Sequence, residues 1–156
     1  MTPPLYNRDL LALAVATGNF PPLPTPDRQA EQRAPLCGSR IRVDMMVDDA
    51  GRIAGVGMRV EACVIGQASA TLMARHAAGQ GRVAIAQARD AVAAWLAGEA
   101  GLPDWPGFEI LAPARDYPAR HGAILLPFAA AVAALGEVAG EALGEVAGEA
   151  PGEAAA

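Results

Sequence analysis

Lysine is absent from this 156-residue chain, and cysteine nearly so, with two residues. All twelve basic residues are arginine. Beside so much alanine, that choice reads as a coding bias and carries little functional weight. No unbroken run of about 18 apolar residues appears, the length a membrane helix needs, so no membrane span is expected. Leu10 to Ala16 is apolar, but Asn19, Pro21 and Pro22 follow without a small-residue cleavage site. The expectation is therefore a cytoplasmic protein and not a secreted one. In that compartment two thiols are better read as ligands or reactive groups than as a disulfide.

The formal net charge is −5, but it is unevenly placed. Glu137, Glu141, Glu145, Glu149 and Glu153 lie in a segment that has no base, and the rest of the chain balances twelve acids against twelve bases. A neutral domain has no nucleic-acid footprint. The acidic segment repeats with a period of eight, Ala134 to Glu141 and then Ala142 to Glu149, with a glycine every fourth residue. Each such glycine disfavours helix by about 1 kcal/mol relative to alanine. Residues 1–136 are read as one domain, and 137–156 as a disordered low-complexity tail.

Pro3 and Pro4 open a stretch in which Tyr6, Leu10, Leu13 and Thr17 recur at helical spacing until Gly18. Five prolines between 19 and 36 leave room for extended chain and a weak edge strand near 29–34. Ile41, Val43, Met45 and Val47 alternate with Arg40, Arg42, Asp44 and Met46, the period of a half-buried strand. Asp48 to Gly51 reads as a turn. Val56, Met58, Val60 and Ala62 form a second strand, with a bulge expected near Gly55 where the phase slips. Helices are predicted from Ile65 to Gly79 or Gly81, and from Ile85 to Gly98. Residues 99–120 read as irregular. A last helix should start at 123–126, because Pro127 fits only a first turn. The fold class is α+β, a small antiparallel sheet of about three strands packed on one side by helices.

Cys37 follows Leu36 and precedes Gly38 and Ser39 in a loop before the first confident strand. Cys63 ends the second strand just before a helix, where free N–H groups and the helix dipole favour thiolate. Thiolates are natural ligands for zinc and for iron in clusters. Cys63 taken alone reads equally as a small buried hydrophobe. Cys37 belongs to no apolar stripe, which favours a metal role for the pair. His121 is the third candidate, though a histidine there can simply cap the last helix. Ser39 can lie beside a metal or serve as a turn residue. His76 reads as a solvated or packing residue, and Ser69 and Thr71 as helix positions without chemistry.

The order of these motifs resembles a known family. Cys37-Gly38-Ser39, strand, turn, strand, then Ala62-Cys63-Val64-Ile65-Gly66-Gln67-Ala68-Ser69-Ala70 resembles the U-type iron–sulfur cluster scaffolds, the IscU, SufU and NifU N-terminal family. The opening helix and Pro118-Ala119-Arg120-His121 before the last helix are similar too, so the resemblance spans roughly residues 4–135. The 99–120 segment is closest to the SufU branch, which has an insertion there. The resemblance implies a SufU/IscU-like fold and a transient iron–sulfur cluster or zinc held by Cys37, Cys63 and His121. It implies a cysteine desulfurase and apo iron–sulfur acceptor proteins as partners, and no enzymatic turnover. The family's pattern has an aspartate where this chain has Ser39, and a third cysteine where it has Gly122 or Ala123. Three ligands leave a four-coordinate site open, to be completed from elsewhere, for instance by a second subunit of a homodimer. The rival readings are a zinc-binding paralogue that regulates a desulfurase, a thiol protein accepting sulfur on Cys63, and an interaction domain with inert cysteines.

Overall fold

The computed structural model describes residues 5–136. The proposed tail, 137–156, and the opening prolines lie outside the described residues. The architecture is α+β. Three antiparallel strands, β1 (Arg28–Ala34), β2 (Ser39–Val47) and β3 (Ile53–Glu61), pair in the order β1-β2-β3. Four α-helices accompany them among the described residues: α1 (Arg8–Val15), α2 (Val64–Arg75), α3 (Arg82–Leu96) and α4 (His121–Leu135).

The strict alternation in β2 arises because it is the central strand with one face covered by helices. Ile41, Val43 and Met45 are all but completely buried beneath α4, which packs on β1 and β2. At the β2–β3 turn, Asp48 Oδ1 accepts from the backbone of Ala50 and Arg52, both at 2.9 Å. The expected bulge is present: Met46 pairs with Gly55 but Val47 pairs with Ile53, so Ala54 is the extra residue.

The other face of the sheet is half covered. The chain after Phe20 crosses it, with Met58 N donating to Phe20 O at 2.8 Å. Asp44, fully buried on that face, accepts from Leu23 N at 3.0 Å and from Gln29 Nε2 at 2.8 Å. Opposite Asp44 stands Gly57. A Cβ there would overlap the Pro21 carbonyl and the Leu23 backbone, so only glycine lets the crossing segment lie this close.

Four expectations need correction. Helix α1 starts later than the spacing suggests, because Asn7 Oδ1 caps it by accepting from Leu10 N at 2.9 Å. Tyr6 therefore precedes the helix, and Thr17 falls in a terminal 3-10 turn, Ala16–Asn19. The segment 99–120 is not wholly irregular, since Phe108–Asp116 winds as 3-10 helix through Pro113.

Helix α4 begins at His121, entered through the 3-10 turn Pro118–Arg120, and Pro127 sits in its interior. Proline cannot donate to the carbonyl four residues back. The helix nonetheless runs on to Leu135, and beside the freed Ala123 carbonyl Ile124 O receives the buried Ser69 hydroxyl at 2.6 Å. Lastly, Pro118–Leu135 does reach the length and hydropathy of a membrane span, with a mean of 1.3 over 18 residues. More than half of that stretch is buried inside the molecule. It is apolar on all sides because it is the central core helix, between the sheet and helices α2 and α3.

Candidate functional site

Strand register brings the two thiols to one end of the sheet. Arg40 on β2 pairs with Glu61 on β3. Cys37 lies just before β2, and Cys63 just after β3, so both leave the sheet on the same side. The turn carrying Cys37 is closed by Gly38 N donating to Ala34 O at 2.9 Å. Gly38 adopts φ +72°, a left-handed conformation that glycine accepts without strain.

Cys37 is half-buried, and its thiol donates to Ser39 Oγ at 3.0 Å. Ser39 is buried. Its hydroxyl is thus held against the sulfur. Cys63 is the N-cap of α2, in extended conformation, with its carbonyl accepting from Gln67 N at 2.9 Å. The half-buried Cys63 side chain makes no capping hydrogen bond to the first turn, so its thiol stands at the N-terminal end of the helix without a bond to it.

His121 is the first residue of α4. Its Nε2 lies 2.6 Å from the carbonyl oxygen of Arg115. A carbonyl oxygen can only accept, so Nε2 carries the proton and Nδ1 holds the free lone pair. This is the arrangement found in metal-binding histidines, where the second nitrogen is anchored on a carbonyl or carboxylate.

Two close approaches draw the start of α4 towards the thiol-bearing segments. A Cβ on Gly122 would touch the Ala34 side chain at 3.4 Å, and one on Gly66 would meet Ala62 at 2.9 Å and Ala123 at 3.2 Å. Cys37 and Gly122 line the same cavity of about 240 Å³, with Leu36, Ala119, Leu125 and Ala129. Cys63 and His121 lie outside that cavity. Among the described residues, no three His, Cys, Asp or Glu side chains converge on one metal position. The structure thus joins Cys37 with Ser39, and Cys37 with Gly122, without gathering both thiols and the imidazole into one closed cluster.

Sequence reasoning missed the Arg115 carbonyl and the apolar wall from Leu125 and Ala129. No signal in the chain marks either, since both depend on how 108–116 and α4 dock. His76 is a packing residue, edge-on to Trp105 with ring centroids 6.4 Å apart. Ser69 and Thr71 are buried tethers, the latter donating to Leu13 O at 2.7 Å.

No protein-family model and no curated protein matches the chain. Solved structures do. A NifU-like protein (N-terminal) from Brucella abortus is 32% identical, with a TM-score of 0.77, over 84% of this chain and 92% of that one. A protein from Fervidobacterium islandicum AW-1, described as an iron–sulfur cluster assembly scaffold for the SUF system, is 18% identical. It superposes with a TM-score of 0.75 over 84% of this chain and 96% of that one, which supports the fold. The identity and coverage shared with the Brucella protein, together with the matching three-stranded sheet and helices, place this chain in the U-type, NifU-like family of iron–sulfur cluster scaffolds.

Proposed function

We propose that this protein holds a nascent iron–sulfur cluster, its cargo, on the thiolates of Cys37 and Cys63, with His121 Nδ1 as a third ligand. The observation that carries the reading is the register of β2 and β3. It delivers the only two thiols of the chain to one end of the sheet, in a chain that shares 32% identity with a NifU-like protein.

Each residue has a distinct task. Cys63 stands at the start of α2, and metal binding takes up both thiols as thiolates with release of their protons. Ser39, bonded to the Cys37 sulfur, acts on the ligand and not on the metal. His121 is oriented by the Arg115 carbonyl. Closing the site requires the β1–β2 turn and the start of α4 to approach Cys63, and the fourth position is left for a partner's group or a second copy. A cysteine desulfurase supplies sulfur, and apo iron–sulfur proteins in the cytoplasm take the cluster. No substrate is turned over.

Anaerobic reconstitution with iron and sulfide tests this. Visible cluster absorption is expected for the wild type and should vanish in both Cys37→Ala and Cys63→Ala. Stoichiometric zinc without a cluster would favour the desulfurase-regulating reading. Persulfide on Cys63 without metal would favour the sulfur acceptor. A chain that takes up neither metal nor sulfur refutes all of these.

A further inference from the structure

The outer face of the sheet carries arginines that the fold does not neutralise. Below the segment that covers Asp44, two rows of side chains cross the three strands. One row is Arg33, Arg40 and Glu61; the other is Glu31, Arg42 and Arg59. Both glutamates are committed to Arg40: Glu61 at 2.5 Å and Glu31 at 3.7 Å. Glu61, through its hydrogen bond and then its charge, with Glu31 adding to it, holds the Arg40 guanidinium above its ordinary pKa.

Arg42 and Arg59 stand directly opposite each other on paired strands. Like charges in that position destabilise a sheet. Although Glu31 stands opposite it, the ion pair of Arg42 is with Asp44, Oδ1 3.5 Å from Nε, and that Nε is buried without a hydrogen bond. Asp44 is already engaged by Leu23 and Gln29. Arg59 is exposed and makes no ion pair among the described residues. Glu31, Arg40, Arg42, Arg59 and Glu61 together line a concavity of about 300 Å³.

We propose that this face is a docking surface for a partner protein, which inserts an acidic segment between Arg42 and Arg59. Charge complementarity selects the occupant: Arg59, which has no ion pair among the described residues, and Arg42, whose Nε meets Asp44 only at 3.5 Å and without a hydrogen bond, can donate to incoming carboxylates in paired, bidentate geometry. Position gives the purpose. The row of Arg33, Arg40 and Glu61 crosses the end of the sheet from which the Cys37 turn and the N-cap Cys63 leave, so a partner bound here lies at the thiol end of the sheet. The surface does not depend on which metal the thiols bind. The unfavourable Arg42–Arg59 pairing is retained because the partner relieves it.

The probe is a fluorescein-labelled decapeptide of glutamate and glycine, titrated into the full chain at low salt and followed by anisotropy. Binding should weaken as salt rises. It should fall up to about fivefold in each of Arg42→Ala and Arg59→Ala, the scale of an exposed ion pair, and disappear in Arg59→Glu. Arg89→Ala, on α3, should leave it unchanged. Arg59 is exposed, so its variants should fold, and their melting temperatures should equal or exceed that of the wild type as the repulsion is removed. Unaltered peptide binding in Arg59→Glu overturns the proposal. So does full displacement by inorganic phosphate or a short RNA at matched charge. Peptide binding that appears only after residues 137–156 are removed, or a dimer that dissociates in Arg59→Glu, would assign the surface to the chain's own acidic segment or to a second copy. Failure of cluster reconstitution leaves this result untouched, so the two readings are judged separately.

Discussion

At the scale of single residues, the decisive atoms are few and mostly polar. Cys37 carries its own hydrogen-bond partner in Ser39, where the family's pattern has an aspartate. A neutral hydroxyl carries no negative charge, so Ser39 does not supply beside the Cys37 sulfur the charge that an aspartate would. His121 is the other informative residue, because one hydrogen bond determines its tautomer. With Nε2 donating to Arg115 O, the neutral ring has its lone pair on Nδ1. Long-range proton–nitrogen NMR of the metal-free protein near neutral pH should show a protonated Nε2 and an unprotonated Nδ1. A proton on Nδ1 would remove His121 from the ligand set. His121→Ala should then keep the fold, since the ring is only half-buried at the surface, and should lower the iron retained per chain after gel filtration.

At the scale of elements, the candidate residues Cys63 and His121 stand at the starts of α2 and α4, and these helices are fastened by a bond between residues fifty-five apart. The Ser69 hydroxyl donates to Ile124 O inside α4, three residues before Pro127. Pro127 frees the carbonyl of Ala123, four residues back, so at Ile124 the hydroxyl adds a second bond from another helix to a carbonyl within the ladder. Ser69→Ala leaves that carbonyl with one partner fewer, and stability should fall by about 0.5–1.5 kcal/mol. Urea unfolding checks this: the midpoint should drop with the slope unchanged. An unchanged midpoint would mean that α4 satisfies Ile124 by itself.

The same helix shows where sequence reading stops. Strand β2 was legible because one face is buried and the other is not, and that contrast is written as alternation. The bulge at Ala54 was legible as a slip in the same pattern. Helix α4 offers no contrast, being buried nearly all round, so its start was judged from Pro127 alone and placed too late. The tethers of Ser69, Thr71 and His121 end on backbone carbonyls, which every residue has, and no sequence can mark which one is used. The two thiols were legible as candidates because they are scarce. Their common end of the sheet follows from register, which the alternating strands and the turn between them already implied.

At the scale of the whole molecule, the segment between α3 and α4 determines whether the helices behave as one unit. Phe108 is fully buried within it. It meets Trp95 of α3 edge-on at 5.9 Å, and Phe128 of α4 at 5.8 Å. Trp105 completes the cluster against Phe128 at 5.3 Å and donates its Nε1 to Leu72 O of α2 at 2.8 Å. Gly107 permits the approach, since a Cβ there would press on Leu72 Cδ2 at 2.6 Å. Three helices are thus joined through four aromatic rings, which include both tryptophans of the chain. Phe108→Ala should remove about 3–5 kcal/mol, the cost of emptying a buried phenylalanine site. Because the cluster touches α2, α3 and α4 together, tryptophan fluorescence and far-UV circular dichroism should still report one coincident transition, shifted as a whole. A fluorescence transition that runs ahead of the loss of helix would show instead that 99–120 unfolds as a separate unit. The start of α4, and with it His121, would then be free to move independently of the two cysteines.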